Sequence, residues 1–133
     1  PAGLDLVAEA VGDLGVAVGD GGGDLRLHHL GLHLGHGGVV HLAGQPAKDR
    51  SASVKAQTTE ILHSIDKLLQ AAGSDKSRLL TTVIYLADMR HKAQMDEAWL
   101  EWVDPQNTPA RACVETRLGT PDTLVEIMVV AAQ

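Results

Sequence analysis

The sequence predicts an α+β fold in which two helices cover one face of a β-sheet. Three observations carry this. Val54, Thr58, Ile61, Leu62, Ile65, Leu68, Leu69 and Ala72 recur at helical spacing. Arg78–Leu86, Ala110–Leu118 and Leu124–Ala131 are rich in β-branched and apolar residues and read as strands. The last strand is apolar on both faces, with Val125, Ile127 and Val129 against Leu124, Met128 and Val130. Two helices can cover only one of those faces, so the other calls for a second cover, most simply another subunit.

Composition changes near residue 38. Eleven of the 14 glycines and four of the seven histidines precede Val39. Glycine weakens helices and strands alike, so this segment is atypical. Its stretch LDLVAEAVGDLGVAV reads as a short helix or a strand pair, and the alternation in LRLHHLGLHLGH suggests a hairpin. From Val39 the signals sharpen. VVHLAGQ is a short strand ended by Gly44. Ser51 or Ser53 caps the first helix, and Gly73 stands where its C-terminal cap belongs. After the strand at 78–86, Asp88 caps a second helix over roughly Arg90–Val103, with Met95, Ala98, Trp99 and Trp102 on one face. DPQNTP ends it.

At 133 residues the chain is long enough for one domain, 1–133, with a real core. A net charge of −6 disfavours general binding to nucleic acid. The single cysteine, Cys113, has no intrachain partner and fits a reducing, cytoplasmic compartment. No apolar run is long enough to span a membrane. The N-terminus is acidic and does not read as a secretory signal. A start at Pro1 without methionine is expected of a processed or incomplete chain.

Two charges stand out in otherwise apolar strands. Arg111 shares a strand face with Cys113 and Glu115, while Ala112 and Val114 take the other. Glu126 lies on the Leu124/Met128/Val130 face of the last strand. A lone charge in such a setting is costly unless paired or used. If the two strands pair, Arg111 and Glu126 share a site at a subunit boundary.

VVHLAGQ, QTTEILHSIDKLLQAAGSDKSRLLTTVIYLADM, MDEAWLEWV, TPARACVE and LVEIMVVAA together resemble the RidA/YjgF family of enamine/imine deaminases, in its YoaB-like branch, from about Val39 to the C-terminus. PARACVE followed by VEI is the most specific part. The resemblance implies a chorismate-mutase-like sandwich with a mostly antiparallel sheet, and a homotrimer with three intersubunit clefts. It implies hydrolysis of reactive enamines and imines such as 2-aminoacrylate to 2-keto acids and ammonia, with no metal or organic cofactor. By the same resemblance Arg111 holds the substrate carboxylate, Glu126 positions or activates water, and backbone groups at Gly44 and Cys113 line the cleft. The alternative is a non-catalytic trimer that binds small carboxylates.

The residue types suit this chemistry. A guanidinium grips a carboxylate with two parallel hydrogen bonds, which lysine does not. An imine is electrophilic, so water needs placement and a proton acceptor rather than an activated nucleophile. Three departures from the family pattern are visible: Ala43 where serine is frequent, Asp96 where asparagine is expected, and a segment before residue 38 with no aromatic residue. That segment reflects divergence or a reading-frame error.

Each residue also has a plainer reading. Arg111 and Glu126 could serve structural salt bridges, even with one another. Cys113 has no base beside it and reads as a small buried residue. Gly44 could simply be a turn glycine. Trp99 and Trp102 read as core and interface packing, and Lys76 and Arg78 as solvated. His29 and His33, or His33 and His36, have zinc spacing on a helix, but Gly31, Gly35, Gly37 and Gly38 argue against that helix.

Overall fold

The computed structural model describes the backbone of residues 9–11, 14–16, 24–28 and 31–133, with side chains from residue 37 onward. The N-terminal part forms a strand pair, β1 (Glu9–Val11) and β2 (Leu14–Val16), and then the expected hairpin, β3 (Asp24–His28) and β4 (Gly31–His36). Gly37 and Gly38 both have positive φ, +59° and +78°, which is the two-residue turn that matches strand twist. This turn leads into β5 (Val39–Leu42), antiparallel to β4. The short β6 (Gln45–Pro46) follows. His33 and His36 lie on strand β4, so the helical zinc spacing does not arise, and His29 lies outside the described residues.

Helix α1 (Val54–Ala71) starts at Ser53, whose side chain accepts a hydrogen bond from the Ala56 amide. The chain turns away at Gly73, φ +78°. Strand β7 (Leu79–Leu86) is followed by a short 3₁₀ turn, Met89–His91, capped by Asp88, and then by α2 (Lys92–Trp102). The sheet closes with β8 (Ala110–Glu115) and β9 (Val125–Ala132).

Its order is β3-β4-β5-β9-β7-β8, with β6 also paired to β9. All pairs are antiparallel except β7–β8. This decides a condition that the sequence leaves open. β8 does not pair with β9, because β7 lies between them. The reason is the helix between β7 and β8: a parallel pair needs a crossover, and α2 supplies it. A sheet edge is left at β8.

One face of the sheet carries the core. Val125, Ile127, Val129 and Ala131 of β9, with Ile84 and Leu86 of β7, pack against Ile61, Ile65, Leu68 and Leu69 of α1 and Met95, Trp99 and Trp102 of α2. Burying each large apolar side chain stabilises by about 1.5–3 kcal/mol. Among the described residues no helix covers the opposite face of β7, β8 and β9: Val114 and Met128 are exposed there, beside the partly exposed Val83 and Tyr85.

Two polar residues brace the frame. Buried Gln57 of α1 donates to the Asp122 carbonyl at 3.2 Å and accepts from the Leu124 amide at 3.2 Å, fixing the entry to β9. Lys76, expected in solvent, instead donates to the last-turn carbonyl of Trp102 at 2.7 Å and sits 5.5 Å over that ring. Among the described residues no helix is long and apolar enough to cross a membrane.

Candidate functional site

Arg111 sits on the edge strand β8. Its register partner is Thr82, which pairs in turn with Val129. Both are buried on the core face, so Arg111 points to the helical side, at the rim of α2. There the guanidinium lies 5.4 Å over the Trp99 ring. Its Nη1 is 2.9 Å from Asp96 Oδ1, an ion pair outside hydrogen-bond geometry. Asp96 also accepts from Lys92 Nζ at 2.5 Å, one helical turn away. The Arg111 side chain keeps 23% of its surface exposed.

The charges at this rim alternate: Lys92, Asp96, Arg111. Burial pushes the Asp96 carboxyl up, but its contacts with Lys92 and Arg111 outweigh that and hold it below the usual carboxylate range. Cys113, two residues along β8, packs against the core. Burial pushes its thiol up, against the opposing pull of Arg111 and Lys92. A thiol held protonated is a poor nucleophile, which agrees with its reading as a small packing residue.

Glu126 occupies the other side of the sheet. Its partner across β7 is Tyr85, whose partner on β8 is Val114, so Val114, Tyr85 and Glu126 form one row on the helix-free face. Gly44 closes that row. A Cβ at Gly44 would stand 3.1 Å from the Glu126 carboxyl carbon and from Oε2. Glycine here therefore has a reason beyond the turn: it lets backbone lie against the carboxylate.

The four residues singled out in the sequence thus form two groups. Arg111 and Cys113 belong to the α2 rim; Glu126 and Gly44 belong to the open face. Two strand spacings and three residues of register separate the Arg111 and Glu126 Cα atoms, about 14 Å by ideal sheet geometry. Their side chains also point to opposite faces. The pairing-dependent shared site therefore does not form within one chain. Two residues were missed as neighbours of the site. Lys92 is signalled by its i,i+4 spacing from Asp96, and Tyr85 by its parity on β7, once the strand order is known.

An open cleft of about 640 Å³ lies beyond the end of β8, lined by Glu115, Arg117 and Thr120 among others. Neither Arg111 nor Glu126 lines it.

Comparison with known proteins adds the following. The Endoribonuclease L-PSP family profile matches residues 29–133, a stretch that begins ahead of β4. A RutC family protein of Haemophilus ducreyi is 43% identical over 97 residues, covering 73% of this chain and 83% of that protein. The RutC family protein YoaB of Escherichia coli K12 is 37% identical over 97 residues, 73% and 84% of the two chains. Among solved structures, NMB1025 of Neisseria meningitidis, described as a YjgF family member, superposes with a TM-score of 0.74 at 40% identity, covering 76% and 84%. An uncharacterised protein of Pseudomonas aeruginosa gives 0.74 at 39% identity, covering 76% and 88%.

Proposed function

The chain belongs to the RidA/YjgF family, in its YoaB-like branch, and on that premise we propose that it hydrolyses reactive enamines and imines of the 2-aminoacrylate type to 2-keto acids and ammonia. The site is a cleft between subunits of a homotrimer, with Arg111 from one subunit and Glu126 from its neighbour. The observation that carries this reading is the split just described. Arg111 lies on an edge strand and Glu126 on a helix-free face that is largely apolar, so a second copy laid on that face can bring the two together.

In this reading Arg111 takes the substrate carboxylate with the donors that Asp96 leaves free. Glu126 orients a water and accepts its proton as the oxygen adds to the imine carbon, while the C=N π electrons move to nitrogen. That proton passes to the nitrogen to give a carbinolamine. The new hydroxyl's proton then also goes to the nitrogen, the C–N bond breaks with its electrons leaving on nitrogen, and a carbonyl and ammonia result. Backbone at Gly44 and Cys113 lines the cleft. General-base help of this kind contributes about 10²–10⁴-fold, and positioning adds to it.

The test is release of ammonia or keto acid from 2-iminopropionate and 2-iminobutyrate generated in place. Native protein accelerates release, and Arg111→Ala abolishes the acceleration while remaining trimeric. Full activity in Arg111→Ala would remove the assignment. One observation motivates the rival reading, a small-carboxylate-binding trimer: Asp96 stands where the family pattern has asparagine. Ligand-stabilised trimers that never release ammonia would decide for it.

A further inference from the structure

Arg111, Asp96 and Lys92 form a short chain of charges with a net of +1. The two contacts of Asp96 are unlike. Lys92 Nζ makes a close hydrogen bond to Oδ2 at 2.5 Å. Arg111 Nη1 stands 2.9 Å from Oδ1, an ion pair off hydrogen-bond geometry. Contrast Arg90, whose Nε and Nη2 both donate to Asp88 at 2.6–3.0 Å and whose fork is fully used. Asp96 therefore holds the Arg111 guanidinium in place over Trp99 but leaves donors for a second carboxylate. Its own negative charge nonetheless stands beside the anchor and opposes any anion that arrives there. Lys92 offsets that charge.

We propose that Asp96 and Lys92 together set the strength of the Arg111 carboxylate anchor: Asp96 positions and weakens it, and Lys92 keeps it net positive. This rests on the reading of Arg111 as a carboxylate site. It makes Lys92 and Asp96 affinity-determining residues that need not touch substrate. A unit charge about 6 Å from a bound anion, at a partly exposed site, changes affinity by about three- to tenfold, and the change shrinks with added salt.

The test is calorimetric binding of 2-ketobutyrate to the trimer, which needs no turnover. Lys92→Met should weaken binding about three- to tenfold, and Lys92→Arg should restore it. Asp96→Asn keeps an acceptor for Arg111 but removes the charge, and should tighten binding by a similar factor. The double variant should bind about as native protein does. All shifts should fall as salt rises, which a merely structural role would not produce. If native protein binds and the single variants bind identically, or if Asp96→Asn weakens binding in a folded trimer, the proposal is overturned. If native protein itself shows no binding, the carboxylate-site reading fails and takes this one with it.

Discussion

If Arg111 and Glu126 act together only across a subunit boundary, two inactive variants should repair one another. The perturbation is a mixture of Arg111→Ala and Glu126→Gln chains, refolded together or co-expressed. Within one chain the two residues sit on opposite sheet faces, about 14 Å apart at Cα. No rotamer closes such a gap through a packed sheet, so each parent should be inactive for a different reason. In an equal mixture assembled at random, a cleft needs its arginine from a Glu126→Gln chain and its glutamate from an Arg111→Ala chain. Each has a chance of one half, so about one cleft in four is intact. The assay is ammonia release from 2-iminobutyrate, with mass analysis showing that mixed trimers form. Recovery near a quarter of native activity is expected. Mixed trimers no more active than their parents would refute the reasoning, because the two residues would then be required within one chain or not jointly at all.

Other outcomes follow from the same structure. Gly44→Ala puts a methyl 3.1 Å from the Glu126 carboxyl; it should lower kcat by roughly tenfold with little change in KM, since small displacements of a catalytic group are costly. Ile65→Ala, at a fully buried α1 position, should cost about 2–5 kcal/mol in denaturant unfolding. Trp102→Phe loses the indole hydrogen bond to Asp66 at 2.9 Å and should cost about 1 kcal/mol in the same assay. The Asp88 carboxyl is lowered from 3.8 to about 2, chiefly by the Arg90 side chain and amide. A depressed folded-state pKa gives stability that is present above the unfolded value and lost as pH falls from about 4 to about 2. Asp88→Asn should therefore flatten the acid limb of the stability profile in that window, as followed by urea midpoints.

Much of this architecture was legible because its signals are local. The spacing of Ile61, Leu62, Ile65, Leu68 and Leu69 gives α1 and its buried face, and all five are in the core. Parity alone separates Val125, Ile127 and Val129 from Glu126 and Met128, and the burial follows it. Ser53, Gly73 and the two tryptophans also sit as expected. What was not legible is non-local. Nothing in the β8 or β9 residues says that β7 runs between them, and that one fact decides whether Arg111 and Glu126 can meet. The partners of Asp96 depended on it as well, since Arg111 reaches α2 only because β8 is an edge. Lys76 looked solvated because a helix C-terminus that ends beside it in space is 26 residues away in sequence. The glycine-rich segment left a short helix or a strand pair open for its first stretch and suggested the hairpin through weak alternation, but not that the hairpin would extend the main sheet through β4 and β5.

The most direct test of a site shared between subunits is a crystal structure of the assembled protein with 2-ketobutyrate bound. The ligand carboxylate is expected in the fork of Arg111 from one subunit, with Glu126 of a neighbouring subunit within hydrogen-bond reach of the keto oxygen or of a water beside it. A ligand held by Arg111 with no neighbouring Glu126 near its reactive carbon would contradict the composite site.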